Sequence, residues 1–176
     1  MNIIFVEDSS NMGGVQESTL LLAENLMKRR GYNVNVLIPQ KGELSLRLAE
    51  KSVPFQYYKP IKYLSISLDI YKSYYHILNP LALFWNLIAI TINCFKIKNI
   101  IKENNVFVIT KGLINHICAG FAVINNNNIK LIWHLQDLIT PRHFGFQRYI
   151  FNCFASIIPD KIICDGEMIQ SLLNEI

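Results

Sequence analysis

Short apolar runs alternate with amphipathic stretches along nearly the whole chain. Asn2–Val6 is the first such run, and its length and content predict a buried strand. Residues 15–29 then place Leu20, Leu22, Ala23, Leu26 and Met27 on one side of a helix, with Gly31 as the stop signal. Asn33–Ile38 predicts a second strand ended by Pro39, residues 43–51 a short helix, and residues 53–57 a third, weaker strand. Residues 59–75 are aromatic and basic and read as a surface excursion, before a long helix from about 77 to 104. The alternation then resumes: strand Val106–Thr110, helix 114–124, strand 129–134, helix 146–158, strand Lys161–Cys164 and helix 166–173. The four asparagines Asn125 to Asn128 form a turn between two of these elements, and no internal repeat is present.

Strands of this length alternating with helices predict an α/β fold: a Rossmann-like, doubly wound, mostly parallel sheet with helices on both faces. Ligands of such sheets bind outside the carboxyl ends of the strands. The candidate rim is therefore Glu7 to Gly14, Pro39 to Gly42, Thr110-Lys111-Gly112 and His134 to Asp137, four stretches that the fold would gather together.

Composition narrows the classes. The 176 residues suit one domain with a substantial core, at 51% hydrophobic and 17% charged. A net charge of +4 allows anionic ligands or a membrane surface but is too small for a nucleic-acid footprint. Cys94, Cys118, Cys153 and Cys164 lie in apolar runs without C-x-x-C spacing, which predicts buried free thiols in a reducing cytoplasm. The first apolar run ends too early, at Glu7-Asp8, to read as a secretory leader. Between 77 and 101, Asn86, Asn93, Lys96 and Lys98 break the apolar sequence, so a helix buried on one face is expected instead of a membrane span. Its aromatic residues and lysines leave peripheral contact with a bilayer open.

Two clusters carry candidate chemistry. Gly13 and Gly14 join the first strand to the first helix, where backbone can approach a ligand closely and the free amides of a helix start favour a phosphate. A tight turn without a ligand fits the same pair. The segment has neither G-x-G-x-x-G nor the Gly-Lys-Ser/Thr of a P-loop. In Trp133-His134-Leu135-Gln136-Asp137, a histidine at a strand end with a carboxylate three residues on can move protons near neutral pH. A structural histidine fits equally. Lys111 at a strand end could neutralise phosphate, and Arg142-His143 could hold an anionic group or lie on a solvated loop. No H-x-x-x-H or H-E-x-x-H spacing gathers His116, His134, Asp137 and His143 into a metal site, and no G-x-S-x-G elbow is present.

Together these pieces resemble the amino-terminal domain of family 4 glycosyltransferases, retaining enzymes of the two-domain GT-B fold. The resemblance rests on four ordered stretches. They are Asn2 to Val6 through Met12-Gly13-Gly14-Val15-Gln16; Gly31 to Pro39 with Gly42-Glu43-Leu44; Ile132-Trp133-His134; and Asp160 to Met168. It implies that the backbone at Gly13, Gly14, Val15 and Gln16 meets the diphosphate of a nucleotide-sugar, and that His134 sits by the reacting sugar. Lys111, Asp137 and Arg142 would then shape the acceptor pocket. It implies a nucleotide-sugar as co-substrate with no metal or other cofactor, because amides and basic side chains carry the leaving-group charge. The acceptor would be a glycan or a lipid-linked sugar.

One departure stands out: the family's E-x7-E glutamate pair and its carboxy-terminal nucleotide-sugar domain have no counterpart before Ile176. The expected organisation is thus a single GT-B amino-terminal domain over 1–176, in the cytoplasm or at the inner face of the membrane, incomplete without a second domain or subunit. The alternatives are a non-catalytic sugar- or membrane-binding partner subunit, or a different doubly wound nucleotide-binding protein.

Overall fold

The computed structural model describes residues 1–65, 67–68, 77–102, 105–136 and 146–166. In chain order the elements are β1 (Asn2–Val6), α1 (Gly14–Lys28), β2 (Asn33–Ile38), α2 (Glu43–Glu50), β3 (Phe55–Tyr57), β4 (Ser67–Leu68), β5 (Ile77–Leu78), α3 (Pro80–Ile100), β6 (Val106–Thr110), α4 (Leu113–Val123), β7 (Ile129–Leu135), α5 (Phe146–Ala155) and β8 (Lys161–Cys164). Six strands form one sheet in the order β3-β2-β1-β6-β7-β8, and every neighbouring pair is parallel. β4 and β5 pair antiparallel as a separate ribbon.

Successive strand residues face opposite sides of a sheet, so β1 feeds two cores. Ile3 and Phe5 join Val34, Val36 and Ile38 beneath Leu20 and Ala23 of α1 and Leu44 and Leu48 of α2. Ile4 and Val6 join Val106, Val108, Leu131 and Trp133 against Ile97 of α3, Cys118 and Ala119 of α4, and Phe151 of α5. Helices therefore cover both faces, as the alternation predicts. The chain winds outward from β1 to β3, returns to β6, and winds outward the other way to β8. The loops after β1 and β6 diverge at this reversal and leave a crevice between them.

Several boundaries differ from the pattern for identifiable reasons. The long helix starts at Pro80, not near 77, because the Asn79 side chain accepts from the amides of Leu81 and Ala82 and Pro80 occupies the first helical position. The third strand is confined to Phe55–Tyr57, since Pro54 has no N–H to give and only its carbonyl pairs, with Val36. α5 closes at Ala155 when Ile157 N–H turns back to Phe154 O. Cys153 is exposed on that helix, which corrects the expectation of four buried thiols, while Cys118 is buried and all four remain free. The helix expected over 166–173 lies outside the described residues from 167 onward.

The asparagines that interrupt α3 have a structural task. Asn93 accepts from Ile61 N–H at 2.7 Å and donates to Ile61 O at 3.0 Å, and Asn86 does the same to Leu64 at 2.8 and 2.9 Å. Each side-chain amide replaces a strand partner for the extended segment that runs beside the helix. The spacing fits, because seven helical residues rise about 10 Å and three extended residues span about 10 Å. Trp85 Nε1 adds a bond to Lys62 O at 3.1 Å, and Asn93 also donates to the Tyr63 hydroxyl. Polar residues in an apolar helix are here the means of holding residues 59–64 in place.

Asn93 is buried to 1% exposure. Replacing it by leucine strands the amide and carbonyl of Ile61 in the interior, and Asn93→Leu is expected to cost roughly 2–4 kcal/mol in urea unfolding. The more exposed Asn86→Ala should cost about 1 kcal/mol or less.

Candidate functional site

The rim begins where β1 runs one residue past its last apolar position. Glu7 N–H still donates to Leu37 O at 2.9 Å, so this residue remains in the sheet and its side chain is fully buried. Its carboxyl turns toward α1, accepting from Thr19 Oγ1 at 2.5 Å and from Gln16 Nε2 at 3.2 Å. Burial pushes its pKa up to about 7, against the lowering influence of Thr19 and of the Lys111 ammonium, with Asp8 adding to the rise. The Tyr58 hydroxyl donates to Glu7 O at 3.2 Å and ties the end of β3 to the same point.

Lys111 lies one residue beyond β6 and is itself only 1% exposed. Its ammonium donates to Val15 O at 2.9 Å and to Ser18 Oγ at 2.6 Å, beneath the first turn of α1. Burial lowers its pKa, opposed by the negative charges of Glu7, Asp165 and Asp8. Gln136 then reaches from the end of β7 to Ser18 Oγ at 3.3 Å and to Asp165 Oδ2 at 2.5 Å. Asp165, just past β8, accepts from His134 Nε2 at 2.5 Å. Burial acts to raise the Asp165 pKa, but its hydrogen bonds from His134 and Gln136 prevail and hold it below the ordinary carboxylate value. One polar chain thus runs from His134 through Asp165, Gln136 and Ser18 to Lys111, joining the ends of β6, β7 and β8 to the start of α1.

The glycine turn opens above this chain. Gly13 is the residue before α1, and its carbonyl accepts the first helical bond from Glu17 N–H at 2.9 Å. The amides of Gly14, Val15 and Gln16 precede that bond and have no acceptor within the helix. A Cβ built on Gly14 would meet no described atom within 4 Å, and one on Gly13 only the Gln16 side-chain oxygen at 3.1 Å. The helix dipole and the buried Lys111 ammonium both raise the positive potential at this turn. Across the crevice Gly112 holds φ at 81°, and a Cβ there would lie 2.4 Å from Asp8 Oδ2. Only glycine brings the loops after β1 and β6 this close.

The crevice holds a cavity of about 940 Å³. Asp8 and Asn11 after β1, Tyr58 just past β3, Tyr63 from the excursion, and Leu113 and Asn115 from the start of α4 are among its lining residues. Asn115 accepts from the Tyr58 hydroxyl at 3.1 Å, which leaves its buried Nδ2 without a partner among the described residues. His116, the next residue, does different work. It stacks on Trp133 with centroids 5.0 Å apart, shares a 2.6 Å hydrogen bond with Thr110, and burial pushes its pKa down to about 3. It is a neutral core histidine.

The sequence-predicted residues thus have distinct positions. Gly13, Gly14 and Val15 form an open turn, whereas the Gln16 side chain points inward to Glu7 and to Asp8 Oδ1 at 3.4 Å. Lys111 is buried beneath the turn, and His134 stands at the end of β7 with Asp165. Asp137 and Arg142, with His143, lie outside the described residues. Sequence reasoning put Glu7 on the rim without a role and missed Thr19, Asn115 and Asp165. For Asn115 and Asp165 the available signal was the setting, a polar residue inside the apolar α4 and an acid directly after β8; Thr19 had none.

Glu7 makes stability depend on pH with a defined sign. Its unfolded carboxyl loses its proton near the ordinary 4.5 and its folded one near 7. The native state therefore holds the extra proton between these values, and stability falls as pH rises through about 7. Glu7→Gln removes the effect. In urea titrations from about pH 4.5 to about pH 8, wild type is expected to lose about 3 kcal/mol relative to that variant.

No protein-family model matches the sequence, and no curated protein matches it. Solved structures do. HepE from Anabaena, in complex with UDP and glucose, superposes with a TM-score of 0.71 at 15% identity, over 99% of this chain and 41% of that one. A glycosyltransferase from Rickettsia africae ESF-5 gives 0.60 at 17% identity, over 99% and 39%. MurG from Acinetobacter baumannii gives 0.52 at 17%, over 93% and 40%. The chain spans about two-fifths of the length of these proteins. At such identities the likeness is one of fold: a Rossmann-like α/β architecture that matches one half of these GT-B neighbours.

Proposed function

We propose that this chain is the amino-terminal half of a retaining, family 4-like glycosyltransferase. It contributes to transfer of a sugar from a nucleotide-sugar to a carbohydrate or lipid-linked acceptor, and it needs a second domain or subunit to do so. The carrying observation is that the fold of one GT-B half coincides with an open glycine turn at the reversal point of the sheet. HepE structures in complex with UDP and with UDP-glucose make a uridine diphosphate sugar the first donor to try.

In this reading the amides of Gly14, Val15 and Gln16 meet the donor diphosphate, and Lys111 adds positive charge from below. As the glycosidic bond breaks, charge grows on the departing phosphate oxygen, and these groups stabilise it without reorganising. The donor is a co-substrate, and no metal is needed for this step. Asp165 holds the His134 ring through its Nε2 edge, which leaves the Nδ1 edge for a sugar hydroxyl. The acceptor enters the cavity lined by Asn115 and Tyr58. A second domain closes the cleft and fixes the reacting groups in line, so the half alone binds donor weakly and turns over poorly.

Gly14 gives a clean test because its side-chain space is open in the free protein. Gly14→Val is expected to keep the wild-type unfolding midpoint yet weaken UDP-glucose binding roughly 10- to 100-fold in titration calorimetry, by blocking hydrogen bonds to a charged group. Equal affinity in the two proteins, or no binding by wild type at millimolar ligand, would count against this reading.

A further inference from the structure

We infer that Cys94 and Cys118 form an oxidation site, a thiol pair that a peroxide converts into a disulfide between α3 and α4, independent of any sugar chemistry at the rim. Cys94 lies on α3 and Cys118 on α4, packed in one hydrophobic cluster. Two contacts bring their sulfurs together. Cys118 Sγ lies 3.9 Å from Ile90 O, and Ile90 is one helical turn before Cys94. A helical side chain leans back over the preceding turn, so the Cys94 thiol hangs over this same carbonyl. The Cys94 thiol is also a hydrogen-bond partner of Cys118. The sulfurs already meet, so closing the bond asks for side-chain rotation more than helix movement. The pairing is a product of the fold, because no C-x-x-C spacing announces it. Of the other two thiols, Cys153 stands exposed on α5 and Cys164 lies on β8.

Hydrogen bonds give the two thiols different roles. The Tyr63 hydroxyl accepts from Asn93 Nδ2 at 2.6 Å, which leaves its own proton for Cys118 Sγ at 3.3 Å. The Cys118 sulfur, only 1% exposed, thus accepts from both Cys94 and Tyr63. The Cys94 bond, helped by Tyr63, lowers the Cys118 pKa against the opposing effect of burial. The same bond, with burial, raises that of Cys94. Cys118 is therefore the nucleophile and the half-buried Cys94 the resolving thiol. Hydrogen peroxide, small and uncharged, suits a buried sulfur. In the first step the Cys118 sulfur attacks one peroxide oxygen: an S–O bond forms, the O–O bond breaks, and the thiol proton leaves with the other oxygen as water. In the second, the Cys94 sulfur attacks the Cys118 sulfur: an S–S bond forms, the S–O bond breaks, and the Cys94 proton leaves with the hydroxyl as a second water. The peroxide takes up the two electrons. Bridging takes the acceptor sulfur from Tyr63, so the change is felt at the cavity wall that Tyr63 lines.

Peroxide treatment of the full chain, followed by alkylation and non-reducing peptide mapping, tests this. The double variant Cys153→Ser, Cys164→Ser keeps the pair and removes the other two thiols. It is expected to lose two hydrogens in mass and to form a Cys94–Cys118 crosslink that dithiothreitol reverses. Adding Tyr63→Phe should slow crosslinking roughly tenfold, the worth of one hydrogen bond to a sulfur anion. Adding Cys94→Ser should instead leave a Cys118 sulfenic acid that a 1,3-dione traps. Circular dichroism checks that each variant keeps its helices. Two thiols still open to alkylation after peroxide would overturn the proposal. So would crosslinking no faster in the native chain than in the urea-unfolded one, or as fast with Tyr63→Phe as without it.

Discussion

A carboxyl group shut inside the protein at the end of β1 governs the organisation of the rim. Glu7 stays in the sheet through its backbone bond to Leu37, so its side chain cannot reach water. A buried carboxyl must be hydrogen-bonded, neutralised, or both. Thr19 and Gln16 bind it from α1, and Lys111 supplies positive charge from the end of β6. Satisfying this one group therefore fixes the start of α1 against the sheet, which sets where the amides after Gly13 point. The same Lys111 continues through Ser18 and Gln136 to Asp165 and His134. Residues distant in sequence share one electrostatic problem, and solving it builds the rim.

The opposite wall is held by neutral amides. Asn86 and Asn93 clamp residues 61 and 64 onto α3, and this positions Tyr58 and Tyr63 around the cavity. α3 thus has two unlike sides. One spends its polarity on the cavity wall, and the other presents apolar side chains and Lys98 to the surroundings.

The fold was largely legible because buried parallel strands are apolar runs and the helices between them keep an amphipathic period. Asn2–Val6, Asn33–Ile38, Val106–Thr110 and Lys161–Cys164 were readable to the residue. The start of α3 was less so, because its apolar character continues through Ile77 and Leu78 while the cap at Asn79-Pro80 sets the boundary. Of the site, the glycine turn and His134 could be found from their positions at strand ends. The inward roles of Glu7, Gln16 and Lys111 could not, because a charged residue after a strand ordinarily reads as solvated. Only tertiary contacts with Thr19, Val15 and Ser18 reverse that reading. Pairing His134 with Asp165 was equally hidden, since 31 residues separate them and β7–β8 register brings them together.

The proposed functional surface is the carboxyl rim at the reversal of the sheet, and an amide NMR titration of the isotopically labelled chain with UDP-glucose tests it. Saturable shifts are expected at Gly13, Gly14, Val15, Gln136 and the end of β7, with β3 and the amino-terminal ends of the strands unmoved. Shifts spread over the opposite end of the sheet, or none at the glycine turn, would contradict it.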